Sequence, residues 1–266
     1  MDSAPYLSRF SGIGRLYGRE ALARFSESHV CLFGLGGVGT WAAEALARSG
    51  VGRVTIIDLD EICVTNTNRQ IHALDETIGR SKVQVMAERM RSISPSIEVN
   101  PIEDFYTEKT ANALLSSDYD CVIDAIDPTH RKAHLIARCV SLGIPMITSG
   151  AAGGRRRTEK ITRADLNATT HDGLLRDVKR LLRRQYDFPR GDAPWGVTAV
   201  FSTERPVFPT PEGGVCERPQ GREALRLDCD AGFGSASFIT GAFGFLATSV
   251  ALELLSQPTH LRGHFS

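Results

Sequence analysis

The chemistry this chain can do is concentrated in a glycine run and a few charged side chains downstream of it. Gly34-Leu-Gly36-Gly37-Val-Gly39 has the spacing of a turn that lets backbone amides approach phosphate at the start of a helix, where unpaired N–H groups and the helix dipole favour negative charge. Val30 to Phe33 before it reads as a short buried strand, and Thr40 to Ser49 after it has helical periodicity. Asp58 closes the next strand, Val54 to Ile57, and falls 24 residues after Gly34, where an acid can accept hydrogen bonds from a ribose. On the glycine loop alone, a dinucleotide dehydrogenase would be the favoured reading. The run Asn66-Thr-Asn68-Arg69-Gln70 and Lys82 reverse it. Hydride transfer gains little from cations crowded near the loop. Nucleotidyl transfer needs them, because charge builds on the α-phosphate and on departing pyrophosphate. Arg69 can grip phosphate oxygens bidentately, and Lys82 adds a point charge. Asp127 can hold Mg2+, which takes one or two protein carboxylates when phosphates supply the other ligands.

Elements of one period must present these groups together. Strand patterns at 30–33, 54–57, 98–102, 119–124 and 145–148 alternate with helical patterns at 40–49, 82–92, 109–116 and 130–142. This predicts an α/β fold: a Rossmann-like, doubly wound, mainly parallel sheet with an additional C-terminal antiparallel and helical extension. Asp58, Asp124, Asp127, Ser149 and Gly150 then follow strands and line one crevice. Pro145 to Thr148 is expected to be the last parallel strand. Beyond Gly154 the pattern changes. Residues 155–164 read as an antiparallel strand, 172–186 as a helix, and 187–224 as loop around a short strand near 197–202. We expect a single domain made of an N-terminal arm (1–27), a nucleotide-binding core (28–154), a basic helix and loop insertion (155–230) and an apolar C-terminal helix (231–256).

Net charge is zero, so no global field advertises nucleic acid. Residues 151–190, however, hold eleven Lys/Arg against five Asp/Glu. One face of the 172–186 helix carries Arg176, Lys179, Arg180, Arg183 and Arg184, a set suited to phosphate-backbone contact. No aromatic pattern supports base readout. His72, His130 and His134 read as surface or helix-packing residues. The six cysteines form no CxxC pair, and Cys31 and Cys121 read as reduced core residues. The polar N-terminus, carrying Arg9 and Arg15, lacks the features of a secretory signal, so the chain reads as cytoplasmic. Ala231 to Leu252 are 22 residues without a charge. Interruption by Thr240, Gly241, Gly244, Thr248 and Ser249 favours a buried helix over a membrane span.

Taken in order, Gly34-x-Gly36-Gly37-x-Gly39, Asp58-x-Asp60, Asn66-x-x-Arg69-Gln70, Gly79-x-x-Lys82 and Asp124-x-x-Asp127 resemble the ThiF/MoeB superfamily, the ATP-dependent carboxylate-adenylating relatives of ubiquitin-activating enzymes. The resemblance implies one ThiF-like adenylation domain, with ATP and Mg2+ as ligands. It also implies ribose binding by Asp58, phosphate contacts from Asn66, Arg69 and Lys82, and metal binding by Asp127. The motif residues Asp60, Asn68 and Gln70 are carried to the same nucleotide. A homodimer is implied as well, in which an arginine of the N-terminal arm reaches the partner subunit's ATP. Arg15, in Arg9-Phe-x-Gly12-x-x-Arg15-Leu-Tyr-Gly18, occupies that arm.

A narrower set resembles the branch of the superfamily that dehydrates threonylcarbamoyladenosine in tRNA. It comprises that arm, Cys63 to Leu74, Val122 to Asp127, Val200-Phe-Ser-Thr-Glu204 and Gly232-Phe-Gly234, and runs nearly end to end. It implies tRNA as substrate and leaves room for a sulfur-transfer protein as partner. The alternative within the superfamily is adenylation of a ubiquitin-like sulfur carrier, against which the missing CxxC pairs argue. A non-catalytic adapter would have no physical need to keep Arg69, Lys82 and Asp127. Ala199 stands where that branch is expected to carry cysteine, so no persulfide or thioester step at this position is expected.

Overall fold

The computed structural model describes residues 4–217 and 233–258. The arm folds as three short helices, α1 (Ala4–Arg9), α2 (Ser11–Tyr17) and α3 (Arg19–Glu27), with a break at Gly18, whose φ of 89° a side chain would resist. There follow β1 (His29–Phe33), α4 (Gly37–Arg48), β2 (Arg53–Ile57), α5 (Lys82–Ile93) and β3 (Glu98–Ile102). After these come α6 (Ala111–Leu114), β4 (Cys121–Asp124), α7 (Thr129–Leu142) and β5 (Met146–Ser149). The chain continues through β6 (Ile161–Asp165), α8 (Gly173–Gln185), β7 (Thr198–Ser202), the hairpin β8 (Phe208–Pro209) and β9 (Val215–Cys216), and α9 (Ser237–Leu255).

Seven strands form one sheet in the order β3-β2-β1-β4-β5-β7-β6, parallel except for the β6–β7 pair. This is the expected doubly wound architecture with its antiparallel and helical extension. The order reverses between β1 and β4, which places the crevice at the carboxyl ends of those two strands. Three local expectations are corrected. β5 is not the last parallel strand, because β7 pairs parallel with it through Ile147↔Thr198 and Thr148↔Ala199; the region after Gly154 therefore extends the sheet. The strand foreseen over 155–164 is confined to β6, since the Arg156 and Arg157 amides both donate to the Glu204 carboxylate at 3.0 Å and leave no ladder there. The helix foreseen over 109–116 is a single turn, α6. Thr107 and Thr110 each accept the other's amide, which draws the entry into a tight turn.

Within the 231–252 stretch the described residues from Ser237 onward belong to α9, a core helix seated on α4. A Cβ at Gly244 would lie 2.6 Å from the Val38 carbonyl oxygen and 2.8 Å from the Ala42 nitrogen, so only glycine permits this approach. Thr248 closes the contact by donating to the Ala42 carbonyl at 3.2 Å. α9 has the length and hydropathy of a membrane span, but 67% of that stretch is buried inside the molecule. Its small residues serve helix packing, as their spacing suggested. Cys31 and Cys121 are buried in β1 and β4. Cys229 and Gly232 lie outside the described residues.

Candidate active site

The glycine run forms a turn between β1 and α4 that nothing larger could form. Gly34 has φ +90°, and a Cβ there would meet the Ala125 carbonyl oxygen at 2.8 Å; one on Gly39 would overlap the Gly34 carbonyl. α4 begins at Gly37 with Gly36 as an uncapped N-cap. Its first amides are therefore left for a ligand, the arrangement that suits phosphate.

Asp58, at the end of β2, ties this loop to the next one. Its Oδ2 accepts the Leu35 amide at 2.6 Å and its Oδ1 the Asp60 amide at 2.9 Å. Burial pushes its carboxyl up from the usual range, while the Lys82 ammonium and the two amides oppose this. Asp58 thus shapes the glycine loop through both carboxylate oxygens. Lys82 opens α5, is almost wholly buried, and lies 2.7 Å from Asp60 and 3.9 Å from Asp58. The imidazole of His72 is buried beside it. Burial first, and then the Lys82 charge, push His72 down to about 4, so the ring stays neutral at physiological pH and does not pair with either carboxylate. The reading of His72 as a surface or packing residue resolves to packing.

Arg69 lies over the glycine loop. A Cβ on Gly37 would be 3.5 Å from Arg69 Cγ, and the guanidinium Nη1 donates to the Thr65 carbonyl at 2.7 Å and to Asn68 Oδ1 at 3.0 Å. Two contacts that the sequence reading missed hold its backbone: Trp41 Nε1 and Thr240 Oγ1 both donate to the Arg69 carbonyl at 3.0 Å. Asn68 is fixed in turn by donating to the Ser235 carbonyl at 2.8 Å. Asn66 and Gln70 are less exposed than Arg69. Asn66 is buried, and its Oδ1 accepts the Cys63 amide at 3.0 Å, capping the turn that carries Arg69. Gln70 is buried as well.

Asp127 stands in the β4–α7 loop, open to solvent yet crowded by protein. The crowding and the nearby Asp124 push its carboxyl upward, while Lys132, Arg69 and Lys82 pull it down. Solvent access limits the upward push. These opposing influences place Asp127 within electrostatic reach of both site cations. The loop is braced by a pair that sequence reasoning did not find: Lys132 Nζ and Asp124 Oδ2 are 2.9 Å apart and fully buried. Thr148 donates to the same Oδ2 at 2.7 Å, and Lys132 also donates to the Ile126 carbonyl, one residue before Asp127. A lysine eight residues after an acid gives no periodic signal.

Arg15 is exposed on α2, and its arm is anchored away from the chain's own glycine loop. Tyr6 donates to the Gly50 carbonyl at 2.6 Å and Arg9 to the Ile93 carbonyl at 2.8 Å, at the far ends of α4 and α5. The basic face of α8 is less uniform than its spacing suggests. Lys179 donates to the Asn167 and Thr169 carbonyls. Arg183 donates to Asn167 Oδ1 at 2.6 Å and stacks on Trp195 at 5.1 Å. Those two tie α8 to its own domain, and Arg176, Arg180 and Arg184 remain exposed. Ala199 is fully buried in β7, so no side chain at that position faces solvent.

A glycine-led loop faced by an arginine, a buried lysine and an open carboxylate defines a nucleotide-activating site of the carboxylate-adenylating type. The chain belongs to the ThiF family, whose family model matches residues 11–265. It is 45% identical over 263 residues to the tRNA threonylcarbamoyladenosine dehydratase of Escherichia coli, covering 98% of each chain. The structure of the Escherichia coli enzyme in complex with ATP superposes with a TM-score of 0.85 at 41% identity, covering 96% of both chains. The complex of that enzyme with AMP gives a TM-score of 0.85 at 42% identity over the same share of each chain.

Proposed function

We propose that this chain is an ATP-dependent enzyme that dehydrates, and so cyclises, N6-threonylcarbamoyladenosine in tRNA. The observation that carries the reading is the convergence of Arg69, Lys82 and Asp127 on one phosphate loop, in a chain alike end to end with a dehydratase of that substrate. A threonyl carboxylate oxygen attacks the α-phosphorus of ATP, the bond to the β-phosphate breaks, and pyrophosphate leaves with the electron pair. A ureido nitrogen or oxygen then attacks the activated carbonyl carbon, a ureido N–H gives up its proton, and AMP departs. The nucleoside has lost one water, and no external nucleophile or carrier is needed.

The amides of the glycine loop and the start of α4 hold phosphate. Arg69 and Lys82 stabilise charge that develops on the α-phosphate and pyrophosphate, and the exposed Asp60 carboxylate and the free lone pairs of Asp58 face the ribose. An open carboxylate beside two cations fits a Mg2+ ion bound mainly by phosphate oxygens, and Asp127 would hold it. When bound, Mg2+ supplies further charge neutralisation at the phosphates. The single domain works in the cytoplasm as a homodimer. Because the arm is anchored at the far ends of α4 and α5, Arg15 completes the partner's site. The exposed arginines of α8 meet tRNA phosphates.

The sulfur-carrier alternative shares the first half-reaction but needs an acceptor cysteine. Cys63 is the exposed one among the described free cysteines, and the Thr65 hydroxyl donating to its sulfur pushes its thiol down. Cys63→Ser should leave dehydration intact; a wild-type protein that does not dehydrate but adenylates a sulfur carrier in a Cys63-dependent reaction would favour the alternative and a sulfur-transfer partner. The deciding experiment is nucleoside mass spectrometry of tRNA incubated with protein and Mg-ATP. Loss of one water from threonylcarbamoyladenosine, with AMP formed in equal amount, is expected. An unchanged nucleoside would overturn the reading.

A further inference from the structure

Immediately beyond Asp127 the first turn of α7 and one face of α8 border an open cavity of about 660 Å³. Four basic side chains line it, His130 and Arg131 from α7 and Arg180 and Arg184 from α8, with Asp177 as its carboxylate. Asp177 is already engaged, 3.0 Å from Arg176 and 3.2 Å from Arg180, so the cavity keeps a net positive charge. Arg131 stacks over Phe105 with 5.3 Å between guanidinium and ring centroid. Such stacking orients the planar group while leaving its N–H edges available. The helix contributes too. Pro128 is the N-cap of α7 and supplies no side-chain cap, and the first amide bonded within the helix is that of Lys132 to the Pro128 carbonyl. The amides of Thr129, His130 and Arg131 are thus left for another acceptor. His130, read from sequence as a surface residue, takes on a different meaning here.

We infer that this cavity binds a backbone phosphate of the tRNA beside the reacting nucleoside, a site distinct from the glycine loop that takes the ATP phosphates. Charge complementarity and position carry the inference: planar guanidinium groups match phosphate bidentately, and the cavity opens at Pro128, the residue after Asp127. The inference rests on the tRNA reading above and assigns that reading a particular docking point. Arg131 and Arg184 are its main donors, with Arg180 shared with Asp177. A phosphate seated there would hold the modified nucleoside over the adenylation site.

The test compares Arg131→Gln/Arg184→Gln with a charge-matched control, Arg48→Gln/Arg53→Gln, in which Arg48 ends α4 and Arg53 opens β2, one strand in from the β3 edge of the sheet. Binding of full-length threonylcarbamoylated tRNA is measured across a salt series, with Mg-ATP binding measured in parallel and thermal unfolding confirming the fold. We expect the cavity variant to bind tRNA about tenfold or more weakly. Its log–log salt slope should be shallower by roughly 1.4 to 1.8, two contacts at about 0.7 to 0.9 each. ATP affinity and the control's tRNA affinity should stay at wild-type values. Wild-type tRNA binding and slope in the cavity variant would overturn the inference. So would an equal loss in the control, which would make the effect one of overall charge, and so would a loss confined to ATP binding, which would make the cavity part of the nucleotide site. Absence of tRNA binding by the wild-type protein would refute the tRNA reading itself.

Discussion

Replacing Lys132 by methionine should destabilise this protein severely while changing almost no volume. Lys132 and Asp124 have fully buried side chains 2.9 Å apart. Removing the ammonium leaves Asp124 with two donors, the Thr148 hydroxyl at 2.7 Å and the Ile126 amide at 3.1 Å, but with no cation. Breaking one side of a buried pair typically costs about 3–5 kcal/mol, because the remaining charge stays desolvated. A further ~1 kcal/mol goes with the bond to the Ile126 carbonyl. Against a typical total of about 5–15 kcal/mol, a loss of roughly 4–6 kcal/mol leaves a marginal protein. Urea unfolding measures this directly as a lower midpoint at unchanged slope. The double variant Asp124→Leu/Lys132→Met removes both charges and should recover most of the stability. It should not recover turnover, because the loop carrying Asp127 has lost its brace. A loss below about 1 kcal/mol in the single variant, or a double variant no more stable than the single, would refute the view of this pair as a buried, mutually dependent charge couple.

Other expectations concern the site. Arg69→Ala should lower turnover by about 10²–10³-fold, the range for removing one donor to developing charge, with little effect on unfolding; near-wild-type turnover would make Arg69 structural. Mixing Arg15→Ala with Lys82→Ala subunits should restore part of the activity, since each mixed dimer holds one undamaged site; no recovery despite verified subunit exchange would place Arg15 in its own chain's site. His72 sets a pH dependence. Its pKa falls from 6.5 to about 4 on folding, so between those values the unfolded chain binds the extra proton. Stability should therefore fall as pH drops from 6.5 toward 4, by at most about 3 kcal/mol from this group. His72→Leu should flatten that part of a stability-versus-pH curve measured by urea unfolding; an unchanged slope would exclude His72 as its source.

Much of this arrangement was legible in the chain because it is local. The glycine turn, Asp58 and the β1–α4–β2 unit lie within about thirty residues, and one period governs each piece. Asp127 was legible from its place after a strand, and Arg69 and Lys82 as charges downstream of the glycine turn. What escaped reading depends on contacts distant in sequence. That Trp41 and Thr240 share one carbonyl of Arg69, or that β7 returns to pair with β5, has no local signature. Asn66 shows a different limit: an amide side chain can cap a backbone turn as well as meet a phosphate, and residue type alone does not reveal the cap. The α8 cations show a similar limit. Helical spacing placed Lys179, Arg183 and Arg184 on one face, but only the surrounding carbonyls and Trp195 reveal which of them are already occupied.

The hydrogen bond from Thr240 to the Arg69 carbonyl has a consequence for how the protein is made. On the ribosome the glycine loop emerges roughly 200 residues ahead of Thr240, an interval on the order of 10–40 s at ordinary elongation rates. Throughout that interval the face of α4 that α9 will cover is bare, and the turn carrying Arg69 has only one of its two anchors. The nascent polypeptide can form the β1–α4–β2 unit early, but it cannot organise the arginine over the phosphate loop until synthesis is nearly finished. An incomplete translation product would therefore present a sticky helix face to chaperones and to neighbouring chains, and would be unable to spend ATP.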